Sequence, residues 1–181
     1  EASFNRATLG AYEMGSTFKL LTAAMALDSG VATMTDAYDA SEPLRVARFV
    51  IRDYKPKNRW LTIPEIIVYS SNIGAAKLAL DVGAAGQRDF LSRLGLLNAA
   101  DIELPEVAMP LVPSPWREIN TMTIGFGHGL AVSPLQLASA IAAVVNGGVF
   151  RNPTLVAREP GDDDLGHRVI SPVTSAQIRA L

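Results

Sequence analysis

The chain has no cysteine among its 181 residues, which excludes disulfides, thiolate catalysis and Cys-ligated metals. It has only two histidines, His128 and His167, far apart in sequence and in no His-Glu-x-x-His or comparable spacing. No metal site is therefore expected. Charged residues make up only 19% of the sequence, and the formal net charge is -2. Arg and Lys are scattered without a basic run, so a phosphate-neutralising surface and nucleic-acid binding are not expected. Long hydrophobic runs are missing too. The most apolar stretch, Leu130 to Val145, is interrupted by Ser133, Pro134, Gln136 and Ser139, and reads as a buried helix rather than a membrane span. What the chain does have is 49% hydrophobic residues, enough for one substantial core and too many for a disordered chain. Its first residue is Glu1 rather than Met, and the expectation is that upstream sequence, with any membrane anchor, has been removed.

Local patterns predict mostly helices. Residues Glu1 to Met14 look irregular. From Ser16 to Asp28 good helix formers dominate, with Gly15 or Ser16 available as cap and Gly30 as the stop. Apolar residues lie on nearly every side of that segment, so a central, fully buried helix is expected. Leu44 to Ile51 reads as a short strand and Lys55-Pro56-Lys57-Asn58 as a turn. Thr62-Ile63-Pro64-Glu65 is a capping box, predicting a helix from about Pro64 toward Ser70. Further helices are expected over Ile73 to Val82, ending at Gly83, and Gln87 to Leu94, ending at Gly95. Asn98 to Gly129, rich in Pro and Gly, reads as a long ordered loop with short helical turns. Ser133-Pro134-Leu135-Gln136 opens another helix, stopped at Asn146-Gly147-Gly148. Val149 to Val156 is strand-like with Pro153 confining it to an edge. Asp162-Asp163-Asp164 reads as a solvated turn, Arg168 to Ile170 as a returning strand, and Thr174 opens a last helix.

Two clusters could carry chemistry. In Ser16-Thr17-Phe18-Lys19 the spacing puts the lysine amine on the same helix face as the serine hydroxyl. A serine needs a base to become a nucleophile, and a lysine can be that base only if desolvation or nearby positive potential lowers its pKa. A buried helix N-terminus offers both, and its backbone N–H groups are available to an oxyanion. The bland reading is an N-cap serine followed by a surface lysine, since a bare Ser-x-x-Lys occurs by chance about once in a chain of this length. The second cluster, Ser70-Ser71-Asn72, puts a hydroxyl and an amide on a loop between two helices. Such a pair can relay a proton and hold a substrate amide, although helix caps are the commoner use of these residues.

Taken in order and with their neighbours, the two clusters resemble a known family. Tyr12-Glu13-Met14-Gly15-Ser16-Thr17-Phe18-Lys19 resembles the Tyr-Glu-Pro-Gly-Ser-Thr-Phe-Lys signature of class B penicillin-binding proteins, and Asn5-Arg6-Ala7 resembles its lead-in. Asp53-Tyr54-Lys55-Pro56, Leu61-Thr62-Ile63-Pro64-Glu65 and Ser70-Ser71-Asn72-Ile73-Gly74 resemble the next segment. Gly125-Phe126-Gly127-His128-Gly129 and Val132-Ser133-Pro134-Leu135-Gln136-Leu137-Ala138 resemble a third. The likeness covers nearly the whole chain and is greatest to the septal, division-type branch. It implies an α+β fold, the penicillin-recognising serine transpeptidase fold, of which this chain is mainly the α-helical part, with short strands and the central antiparallel sheet largely missing. It implies that Ser16 is acylated, that Lys19 is its general base, that Ser70 passes a proton to the leaving amine, and that Asn72 holds the substrate backbone and fixes Lys19. The implied substrate is a peptidoglycan stem peptide ending in D-Ala-D-Ala, with β-lactams as covalent inhibitors and no cofactor or metal. Cell-division membrane proteins are the implied partners. The implied location is the periplasm, as a domain of a protein anchored in the inner membrane.

One motif departs from the pattern. The family's Lys-Thr/Ser-Gly is absent, because none of Lys19, Lys55, Lys57 and Lys77 is followed by Thr-Gly or Ser-Gly. The expectation is a transpeptidase domain spanning 1–181 and truncated at both ends, with little activity alone and with an apolar helix face left open to association. Two alternatives stay open: a serine β-lactamase or β-lactam sensor of the same superfamily, and a non-catalytic module that docks division proteins.

Overall fold

The computed structural model describes residues 4–157 and 166–181; the expected turn at 162–164 lies outside them. In chain order, β1 (Tyr12–Glu13) is followed by a 3-10 turn (Gly15–Phe18) that runs directly into α1 (Lys19–Asp28). Then come β2 (Ala37–Asp39), β3 (Leu44–Val46), β4 (Phe49–Ile51) and β5 (Trp60–Thr62). The helices α2 (Ile63–Val68), α3 (Asn72–Arg93) and α4 (Glu118–Gly125) precede β6 (Ala131–Val132) and α5 (Pro134–Val145). The chain closes with β7 (Val149–Phe150), β8 (His167–Arg168) and α6 (Pro172–Arg179). The strands make four separate antiparallel pairs, β1–β6, β2–β5, β3–β4 and β7–β8. Among the described residues no larger sheet forms. The architecture is helix-rich with short strands, as expected for this part of an α+β fold.

The central helix is α1. Leu21, Ala23, Ala24, Met25, Ala26 and Leu27 are all buried, and the helix touches α2, α3, α5 and α6. Each large apolar side chain so buried contributes roughly 1.5–3 kcal/mol, so packing rather than propensity holds α1 in place. Its polar residues need partners at this depth. Thr22 Oγ1 donates to the Gly125 carbonyl at 2.8 Å, and Lys19 makes the bonds described below.

Most helix ends follow the local chemistry. Glu65 Oε2 accepts from Thr62 N at 2.9 Å, the reciprocal half of the capping box that starts α2. Ser133 accepts from Gln136 N while Gln136 Oε1 accepts from Ser133 N, and this box starts α5. Ser171 Oγ caps α6 through Thr174 N at 3.0 Å, so that helix begins slightly before the expected Thr174. The two expected helices of 73–94 lie end to end in α3, broken at Gly83 by φ 78°, ψ 167°. Only glycine adopts that backbone without strain.

Three expectations are corrected. Residues 44–51 form a hairpin, β3 and β4, rather than one strand, with Arg45 opposite Val50. The turn runs through Ala47 at φ 50°, which lacks the Asn-Gly or Asp-Gly signal of a tight hairpin. In the strand-like 149–156 only β7 is a paired strand, and the chain bends at 155–156. The Pro/Gly-rich 98–129 contains a true helix, α4, which packs on α3 through small residues. A Cβ on Gly125 would sit 2.8 Å from Ala79 Cβ and 2.9 Å from the Ala75 carbonyl oxygen. Such a contact leaves no apolar stripe to read.

Candidate active site

The nucleophile candidate is set by the turn before α1. Gly15 takes φ +54°, and Gly15–Phe18 is 3-10 rather than α. At three residues per turn, side chains three apart stand directly in line, and Lys19 Nζ donates to Ser16 Oγ at 2.8 Å. The structure differs here from the simplest reading of Ser16 as a cap. No side chain caps the turn, which leaves the Ser16 hydroxyl exposed and free for other partners.

Lys19 itself is only 2% exposed. Its ammonium has three hydrogens and three acceptors: Ser16 Oγ, the Ser70 hydroxyl at 2.9 Å and the Ser70 carbonyl at 3.0 Å. Burial lowers its pKa to about 8 from an ordinary 10.5, with the Asp53 carboxylate opposing the shift. At pH 7 the free-amine fraction is then about a tenth, roughly 300-fold above that of an ordinary lysine. The Ser70 hydroxyl also donates to Ser16 Oγ at 2.9 Å. The three groups close a triangle in which an amine can take the serine proton and a second hydroxyl can carry it onward.

Ser70 reaches the triangle because it sits between α2 and α3 at φ 53°, a left-handed conformation that non-glycine residues seldom adopt. Both its carbonyl and its hydroxyl serve Lys19. Ser71 Oγ caps α3 through Gly74 N at 3.0 Å and donates to Asp53 Oδ2 at 2.8 Å. Asp53 Oδ1 accepts from Ile73 N at 3.0 Å, so one carboxylate fixes the turn and adds charge near the amine. The role of Asp53 has no local signal in the sequence, because the acid lies eighteen residues before its partner Ser71. Asn72 differs from expectation. Its amide donates to the Arg52 carbonyl at 2.9 Å, while the contacts that fix Lys19 come from Ser16 and Ser70.

A second loop supports the turn from behind. Gly15 N donates to the Gly127 carbonyl at 3.0 Å. A Cβ on Gly127, at φ +89°, would lie 1.9 Å from the Gly15 carbonyl oxygen, so nothing larger than glycine fits. β1 pairs with β6, Tyr12 opposite Val132 and Glu13 opposite Ala131. Glu13 accepts from Gly129 N at 2.7 Å and pairs with His128 Nδ1 at 3.1 Å. The Gly129 amide and then His128 hold its carboxyl below the usual carboxylate range. Among the described residues no helix is long and apolar enough to cross a membrane.

Known proteins share this arrangement of segments. The family model for the penicillin binding protein transpeptidase domain matches residues 2–181. A protein of Caulobacter vibrioides named as a probable peptidoglycan D,D-transpeptidase FtsI is 43% identical over 174 residues, covering 96% of this chain and 30% of its own length. The peptidoglycan D,D-transpeptidase FtsI of Escherichia coli K12 is 33% identical, covering 88% of this chain and 27% of its own. Among solved structures, the transpeptidase domain of Burkholderia pseudomallei penicillin-binding protein 3 superposes with TM-score 0.91 at 30% identity, over 97% of this chain and 54% of that one. A peptidoglycan glycosyltransferase of Burkholderia ambifaria superposes with TM-score 0.93 at 28% identity, over 99% and 57%. The chain thus spans about three-tenths of these curated relatives. It belongs to the penicillin-binding protein transpeptidase domain family, in its class B, septal type.

Proposed function

We propose that this chain carries the acylating centre of a peptidoglycan D,D-transpeptidase, with Ser16 as nucleophile, Lys19 as its base, and Ser70 and Asn72 completing the site. The observation that carries the reading is the 2.8 Å contact between an exposed serine hydroxyl and a buried lysine whose pKa falls to about 8. In its free-amine form Lys19 takes the Ser16 proton as Oγ bonds to the penultimate D-alanine carbonyl carbon. The bond to the terminal D-alanine nitrogen breaks, and the proton reaches that nitrogen through the Ser70 hydroxyl. An acceptor amine then attacks the ester, forms the cross-link and returns a proton to Ser16. A β-lactam enters by the same first step, but its opened ring keeps the leaving nitrogen tethered. Asn72, bonded to Arg52 in the free site, has an amide carbonyl left to receive a substrate N–H. The acting protein works in the periplasm beside division proteins, as in the septal branch.

By the same resemblance, a Lys-Thr/Ser-Gly strand supplies part of the oxyanion hole, and that triplet is not among these 181 residues. Loss of one such donor costs about 10²–10³ in rate, so the isolated chain has little activity. The test grafts this chain in place of the matching stretch of the Burkholderia pseudomallei penicillin-binding protein 3 domain. The cooperatively folding chimera should be labelled once per molecule by a fluorescent penicillin and form a long-lived adduct. Ser16→Ala should abolish labelling and Lys19→Met should slow it by about 10²–10⁴. Labelling that survives Ser16→Ala, or a folded chimera that never labels, defeats the reading. Rapid turnover of the adduct would favour a β-lactamase instead.

A further inference from the structure

Basic charge is concentrated in one exposed segment. Residues 44–60 hold six basic side chains, Arg45, Arg48, Arg52, Lys55, Lys57 and Arg59, against the single acid Asp53, a local +5 on a chain of net -2. Spaced two to four apart, they form no run. All six are exposed. Arg59 is paired with Glu65 at 2.7 Å; among the described residues the other five form no ion pair. The one acid is turned toward the start of α3, where its oxygens accept from Ser71 Oγ and Ile73 N. Aromatic rings stand between the charges. Tyr54 is 92% and Trp60 61% exposed, Arg48 lies 5.3 Å from the Phe49 ring centre, and Lys57 Nζ lies 4.4 Å from that of Tyr69.

This surface is joined to the site. The Arg52 carbonyl holds Asn72, Asp53 holds Ser71 and Ile73, and Lys57 covers Tyr69, the residue before Ser70. The 52–57 part of this surface therefore lies beside the Ser70–Asn72 turn. Five exposed cations in no ion pair, along one short segment, leave a locally positive surface. Carboxylates are counter-ions that such cations bind by charge-assisted hydrogen bonds.

We propose that the basic, aromatic-bearing segment 44–60 docks the carboxylate-bearing peptide arms of a peptidoglycan strand beside the acylation site. The inference builds on the transpeptidase reading and adds to it where the rest of the polymer lies. The test is co-sedimentation of the Burkholderia pseudomallei domain chimera carrying this chain with purified peptidoglycan sacculi. R48E/K55E/K57E should weaken binding at least tenfold at unchanged melting temperature, since all three are exposed. Salt near 1 M, where the screening length is about 3 Å, should release the wild-type chain. Sacculi whose carboxylates have been amidated should bind as weakly as the variant meets native sacculi. Ser16→Ala should bind fully, so failed acylation and failed docking are separate results. Undiminished binding by the triple variant, equal binding to amidated sacculi, or equal binding to anionic phospholipid vesicles or DNA would each overturn the proposal.

Discussion

Replacing Lys19 by Met removes a buried charge along with three hydrogen bonds, and relative to wild type the variant should fare best near neutral pH and lose ground in alkali. Met matches the length of the lysine stem and leaves no charge in the core. The fall from 10.5 to about 8 corresponds to at most about 3.4 kcal/mol, at about 1.36 kcal/mol for each tenfold change in proton affinity. Solvent reaching the cleft past Ser16 and Ser70 screens part of this, leaving on the order of 1–2 kcal/mol. Below pH 8 both folded and unfolded wild-type chains carry the proton, so the folded chain bears the whole cost. Between about 8 and 10.5 the unfolded chain holds a proton that the folded chain has released, and wild-type stability rises with pH. Every other titrating group is common to both proteins and cancels in the difference. Urea unfolding at pH 7 and at pH 10.5 should show the stability of Lys19→Met relative to wild type falling by on the order of 1–2 kcal/mol. A difference that does not change with pH would refute the claim that burial depresses this lysine.

Two other perturbations probe the support beneath Ser16. Gly127→Ala drives a methyl to 1.9 Å from the Gly15 carbonyl oxygen, so a loss of about 2–4 kcal/mol is expected, read as a lower denaturation midpoint; a variant within about 0.5 kcal/mol of wild type contradicts that close approach. Glu13 is held below the usual carboxylate range by Gly129 N and His128, so it contributes stability above its unfolded pKa that is lost as pH falls through its folded one. Glu13→Gln should therefore flatten the acid side of the stability curve, and an unchanged acid limb would rule this contribution out.

Much of this was legible because local chemistry decided it. Thr62 with Glu65 and Ser133 with Gln136 specify helix starts without tertiary help, and Gly83 marks a break that only its backbone allows. The Ser16–Lys19 spacing already placed an amine one turn past a hydroxyl. What could not be read depends on distant segments meeting. The left-handed Ser70 turns a main-chain carbonyl toward Lys19 across fifty-one positions, Asp53 reaches the start of α3, and Asn72 meets Arg52 rather than the lysine. Helix α4 escaped because Gly125 against Ala75 and Ala79 packs by closeness rather than by apolar bulk. The basic surface is hard to read because six cations spaced two to four apart form no run, and their common exposure is a property of the fold.

The proposed chemistry depends on the protonation of one amine, and with only four lysines in the sequence its signal can be followed directly. With lysine labelled at the side-chain ε-carbon and Lys19→Met used to assign the signal, an NMR titration should find the Lys19 midpoint near pH 8. A midpoint at or above about 10, the range of a solvated lysine, would contradict the proposal that Lys19 is the base for Ser16.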